Sequence, residues 1–185
     1  MVIVAFLDAN VLASKTQRDW FLKLSLEKPT IVNLVTSTEV LDETERVFLR
    51  RNPGANPGTA SSLRARIEAV LTDVFKTSQT HDEVIGVDPG DWHVHHSVIE
   101  SEAKLLITNN IRHFSGDYPY SVTSPDDALC QMLLAQPEAV LSVARSEEDY
   151  WGRQSRLGRP AVPLHQALSK AQCPRFGSLI NEFLR

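Results

Sequence analysis

Residues 2–12 read Val-Ile-Val-Ala-Phe-Leu-Asp-Ala-Asn-Val-Leu. An unbroken apolar run, Val2 to Leu7, stops at Asp8, and apolar residues resume after Asn10. A short continuous apolar run predicts a strand buried on both faces, as in a parallel sheet. Open α/β sheets take their ligands at the carboxyl ends of such strands. Asp8 therefore either holds something at that edge or caps the next helix, since aspartate is a favoured N-cap. The Asn10 amide is placed to orient Asp8 or the turn that follows.

Working outward, similar runs recur at Ile31–Val35, Val84–Val87 and Leu105–Thr108, with a weaker one at Tyr120–Thr123. Helical patterns fill the gaps. Thr36 and Glu39 have capping-box spacing and precede Val40, Leu41, Thr44, Val47 and Phe48 at helical intervals. RNPGANPG, with two Pro-Gly pairs, ends that helix. Leu63, Ile67, Val70, Leu71, Val74 and Phe75 form one continuous stripe and predict a single helix. Asp88-Pro89-Gly90-Asp91 opens another, running to about Ala103, with Asp88 as N-cap and Asp91 at N3. Strands alternating with helices predict a three-layer α/β/α sandwich around a mostly parallel sheet. Past SPDDALCQMLLAQ the residues read as helices at Pro137–Arg145 and Pro163–Leu184, joined by the polar RQSRLGRP. The expected organisation is thus an α/β domain over residues 1–130 and a helical extension over 131–185.

At 185 residues with 42% hydrophobic and 23% charged side chains, the chain has the composition of a globular protein with a full core. A net charge of −4 argues against nucleic-acid binding through bulk charge, but not against an acidic metal site with a basic rim. Cys130 and Cys173 form no CxxC motif and no disulfide ladder, which fits a reducing, cytoplasmic setting. No segment approaches the roughly 20 apolar residues of a membrane span.

Asp8 ends the first strand, Asp91 starts the helix after the third, Val84–Val87, and Asn110 follows Leu105–Thr108, so in a parallel sheet the three would come to one edge. The second helix offers a further acid. Glu39 is assigned to the capping box, and Asp42 points outward, within reach of Arg46. Glu43 lies roughly 100° from the centre of the apolar stripe, and Glu45 lies at a similar angle on the other flank. Periodicity favours Glu43 without separating the two. Carboxylates drawn together repel one another and stay ionised only beside a compensating cation. Hard oxygen donors select Mg²⁺ or Mn²⁺, ions able to activate water against a phosphodiester. Asn110 would add an oxygen without a charge.

FLDANVL, TSTEVLDETERVF, DPGDWHVHHSVIESEAKLLITNNIRHF and SVTSPDDAL, in this order over residues 2–130, resemble PIN-domain ribonucleases of the VapC toxin type. The tail, PEAVLSVAR through CPRFGSLINEFLR, is similar to the extension of one bacterial toxin subgroup. The resemblance implies a Mg²⁺- or Mn²⁺-dependent endoribonuclease with Asp8, Glu43 and Asp91 as acidic ligands and Asn110 at the fourth position, where aspartate is common. His113 stands where many relatives carry a further aspartate. It also implies a toxin–antitoxin pair, a cognate antitoxin as partner and a homodimer.

Other residues have competing readings. His93, His95 and His96 suggest zinc, but His95 shares a face with Val94, Val98 and Ile99 and no cysteine is near, so packing is the expected role. Trp92 reads as packing before base stacking. Arg112 is the expected phosphate contact; Arg46 and Arg50 belong to a basic group around the second and third helices that can follow an RNA backbone. Ser14, Thr108 and Asn109 are expected to support the site by hydrogen bonds. Two other classes compete: a PIN-like module that binds RNA or protein without cutting it, and a phosphatase using a strand-end aspartate. The phosphatase needs a second aspartate where this chain has Asn10.

Overall fold

A computed structural model describes residues 3–27, 31–76, 82–158 and 162–184. Five strands form one parallel sheet: β1 (Ile3–Leu7), β2 (Val32–Ser37), β3 (Asp73–Phe75), β4 (Leu105–Ile107) and β5 (Ser121–Thr123), in the order β3-β2-β1-β4-β5. Helices flank the sheet as the outer layers of an α/β/α sandwich: α1 (Ala9–Leu12), α2 (Lys15–Glu27), α3 (Thr38–Arg51), α4 (Pro57–Glu68), α5 (Trp92–Glu100), α6 (Pro125–Ala135), α7 (Pro137–Arg156), α8 (Leu164–Lys170) and α9 (Pro174–Phe183). The apolar opening run is the central strand, with Ala5, Phe6 and Leu7 fully buried. Burial of Phe6 and of Leu7 contributes roughly 1.5–3 kcal/mol each. No described helix is long and apolar enough to cross a membrane.

The strand order turns back at β1. The chain goes from β1 to β2 and β3 on one side, then returns to lay β4 and β5 on the other. The crevice at the carboxyl ends of β1 and β4 is therefore the topological switch point, the usual ligand position in such sheets. Asp8 closes one side of it, and Thr108, Asn109 and Asn110 close the other.

Three element expectations change. Val84–Val87 is not a strand; only Val87 pairs, in an isolated antiparallel bridge with Phe114. The third strand is Asp73–Phe75, inside the stripe read as one helix: α4 stops at Glu68, and Thr72 N–H then donates to Leu34 C=O at 2.8 Å. The run Val70-Leu71-Thr72-Asp73-Val74-Phe75 is rich in β-branched side chains, and sheet pairing overrides its helical spacing. The expected capping box also does not form, because the N-cap falls one residue later and puts Val40, not Glu39, at N3. Ser37 is the N-cap of α3 and accepts from Val40 N–H, while Thr36 stays in β2 and its hydroxyl donates to Leu7 C=O at 2.8 Å.

The C-terminal helices share the core of the sheet. Phe176 of α9 meets Trp20 of α2 edge to face at 4.8 Å between ring centroids. Asp126 of α6, nearly buried, accepts the N–H groups of Arg175 and Phe176 at the first turn of α9. The polar RQSR stretch does not separate two helices; it is the last turn of the 20-residue α7. The expected boundary at residue 130 falls inside α6.

Candidate metal centre

Asp8 serves as N-cap of α1, where its extended backbone lets Oδ1 accept Ala9 N–H at 2.6 Å. Its Oδ2 accepts from Asn10 Nδ2 at 2.5 Å and from the Thr108 hydroxyl at 2.6 Å. The side chain is 3% exposed. Burial pushes its pKa up to about 6; the Thr108 hydrogen bond opposes that, and the charges of Asp91 and Glu43 add to it. Capping and convergence with other acids thus coexist in one residue.

Glu43 and Glu45, equivalent by periodicity, part company in three dimensions. Glu45 lies near Arg64 of α4, 3.8 Å away, while Arg64 bonds Asp42 and Glu68 more closely. Glu43 turns to the Asp8 side and meets His93 Nε2 at 3.4 Å. The hydrogen bond to His93 holds the Glu43 carboxyl below its ordinary range, with Arg46 and Arg50 adding in the same direction. His93 is raised in turn, first by Glu43 and further by Asp8 and Asp91.

Asp91 reaches the crevice by a route other than a strand end. The Val87–Phe114 bridge and the bond from Asp88 N–H to His113 C=O, 2.9 Å, pin its loop to the segment after β4. Asp88 caps the 3₁₀ turn Pro89–Asp91 by accepting Gly90 N–H at 3.0 Å. Asp91 makes no capping bond to α5; its Oδ2 is 2.6 Å from His113 Nδ1. That bond raises the His113 pKa.

The donor set includes a group that could hold a metal ion: Asp88, Asp91 and His113 each offer one ligand atom, all within 4.8 Å of one another. Asp8 and Glu43 lie close enough to act electrostatically on one another and on His93, and Asp8 and Asp91 on both His93 and His113. Carboxylates gathered in this way are a composition that a cation stabilises.

Asn110 follows directly: its N–H donates to the Thr108 hydroxyl at 3.0 Å, while its side chain does not cap the 3₁₀ turn Ile111–His113. Arg46 and Arg50 lie close enough to act on Glu43, and Arg112 is exposed on the turn after Asn110. His95 packs against Tyr118 and Tyr120 and bonds the Tyr120 hydroxyl at 2.8 Å, as its apolar face predicted. Trp92 bonds Val87 C=O through Nε1 and packs on the core. With Glu39, Arg46, Pro89 and His93 it also lines an open cleft of about 230 Å³ beside Glu43. A larger cavity, about 350 Å³, lies at the opposite ends of the strands against α6; among the described residues its lining holds no titratable group.

Sequence reasoning missed the role of His93, the position of Asp88 among the ligand atoms, and Gln17. The contact between His93 and Glu43 needs the relative placement of α3 and α5, which no local pattern encodes. Asp88 beside Asp91 was visible, but the capping reading absorbed it. No protein-family model, curated protein or solved structure matches the chain.

Proposed function

We propose that the chain is a metal-dependent endoribonuclease of the PIN-domain type that hydrolyses RNA phosphodiesters with Mg²⁺ or Mn²⁺. The observation that supports the reading is Asp8 at the switch point of a parallel sheet, near enough to Asp91 and Glu43 for their charges to act on it. A divalent ion, when bound, supplies Lewis-acid activation of water and offsets charge developing on the phosphate. Asp8, Glu43 and Asp91 would hold it, with the Asn110 amide as a neutral oxygen donor and with Asp88 and His113, whose ligand atoms cluster with that of Asp91, as further ligands. Asn10 and Thr108 fix the Asp8 carboxylate. His93 keeps Glu43 ionised and turned inward. Arg46 and Arg50 draw the phosphate backbone toward Glu43, with Arg112 as a further contact. The open cleft beside Glu43, with Arg46 and Trp92 in its lining, is where the RNA strand would lie.

The ordered motifs also support the narrower reading of a toxin neutralised by a cognate antitoxin and acting as a homodimer. In the test, the purified protein is incubated with single-stranded RNA and Mn²⁺. Cleavage should stop with EDTA and fall at least 100-fold in Asp8→Asn/Asp91→Asn, with an unchanged circular dichroism spectrum. Wild-type cleavage by the double variant would remove the assignment. RNA binding without any wild-type cleavage would leave a non-cutting module.

A further inference from the structure

We infer that the turn between α8 and α9 fixes the orientation of Asp8 through three side-chain amides, with Gln17 as the positioning residue that couples the two. The proposal takes Asp8 as a site residue from the reading above, while the coupling itself is a matter of geometry alone. α8 ends in a Schellman turn: Cys173 N–H returns to Leu168 C=O at 2.9 Å and Gln172 N–H to Ser169 C=O at 3.1 Å, with Gln172 at φ 60°. This leaves the Ala171 carbonyl at the helix end without a partner inside the helix. Gln17 of α2, 1% exposed, supplies one: its Nε2 donates to Ala171 C=O at 2.6 Å.

From there the polarity of the chain of contacts is determined. A carbonyl only accepts, so the nitrogen of Gln17 faces Ala171 and its oxygen is left for Asn109 Nδ2, at 3.0 Å. The same nitrogen also donates to Asn109 Oδ1 at 3.0 Å, closing a reciprocal amide pair. Asn109 then donates twice to Asn10 Oδ1, from its backbone N–H at 3.0 Å and from Nδ2 at 3.1 Å. The oxygen of Asn10 being so engaged, its Nδ2 must point to Asp8 Oδ2 and the Thr108 hydroxyl. A backbone acceptor at one end and a backbone donor at the other thus set all three amides, and the last of them orients the carboxylate. Groups that orient a metal ligand in this way alter metal affinity as well as stability.

Two variants separate this role from helix capping. Gln17→Leu removes both the Ala171 cap and the coupling. Asn109→Ala cuts the chain between Gln17 and Asn10 but leaves the cap and the backbone N–H to Asn10. Hydrogen exchange of the Asn10 side-chain amide, followed by NMR in metal-free protein, should be at least about tenfold faster in Asn109→Ala than in wild type. Mn²⁺ affinity by calorimetry should fall about tenfold, the lower end of what such supporting contacts command. Gln17→Leu should do the same with a lower melting temperature, and the double variant should add nothing beyond Gln17→Leu. Wild-type Asn10 exchange in Asn109→Ala would overturn the proposal and reduce Gln17 to a cap of α8. If wild type binds no Mn²⁺, the metal reading fails, while the exchange comparison still decides this one.

Discussion

Asp8 carries opposing demands. It is held by three hydrogen bonds that favour its charge, yet burial and two neighbouring acids push its pKa up to about 6. An acid whose folded pKa is raised takes up a proton on folding. Below about pH 4 both states are protonated and the shift contributes nothing; as pH rises from about 4 to 6 the unfolded state ionises first and stability is lost. The loss is up to about 3 kcal/mol and stays constant at higher pH. The raised pKa values of His93 and His113 act in the same direction: their stabilisation is complete below about pH 6.5 and disappears as pH rises through their folded values. Metal-free protein should therefore melt at lower temperature as pH is raised from 4 to 8. Asp8→Asn should remove the part of that slope between pH 4 and 6, and Mn²⁺ should restore stability most at the alkaline end. Melting temperatures across that range check both statements.

At the scale of elements, α3 explains why one of two equivalent acids faces the site. Its apolar stripe seats it on β2, and the flank carrying Glu45 is taken by Arg64 of α4, leaving the Glu43 flank to the crevice. Glu43→Gln should lower RNA cleavage at least tenfold, whereas Glu45→Gln should leave the rate per folded molecule within twofold. Assays of the two variants side by side check this. That choice was not legible in the sequence, because a single helix presents two flanks and only the neighbouring elements distinguish them. The β3 segment failed for a related reason: six apolar residues satisfied a helical period, and the pairing with β2 that overrides it is non-local. The opening strand was legible because an unbroken apolar run before an acid has few other uses. Between α8 and α9 the packing is tight enough to require glycine. A Cβ at Gly177 would meet the His165 carbonyl oxygen at 2.9 Å. Gly177→Ala should cost about 1–3 kcal/mol despite its better helix propensity, measured by denaturant unfolding.

Over the whole molecule, the strand order and the shared core explain what the residues alone could not. Asp8, Asn10, Thr108 and Asn110 were legible from strand ends, and the switch point between β1 and β4 brings them together. Asp91 was legible as a residue and not as a position, since it arrives through the Val87–Phe114 bridge. The C-terminal residues are helical as expected, but α7 runs on to Arg156 and Pro163–Leu184 divides into α8 and α9; the docking on α2 through Phe176 and Trp20 has no local signal. Phe176→Ala should destabilise the protein by about 3–5 kcal/mol. Tryptophan fluorescence and far-ultraviolet circular dichroism should still report one coincident transition, because both parts bury side chains in one core. If the acids at the sheet edge form a divalent-cation centre, the ion must bind to the purified protein. Calorimetric titration with Mn²⁺ tests it most directly. Wild type should bind at millimolar concentration or below and Asp8→Asn/Asp91→Asn should give no binding heat; identical isotherms, or no binding by wild type, would contradict it.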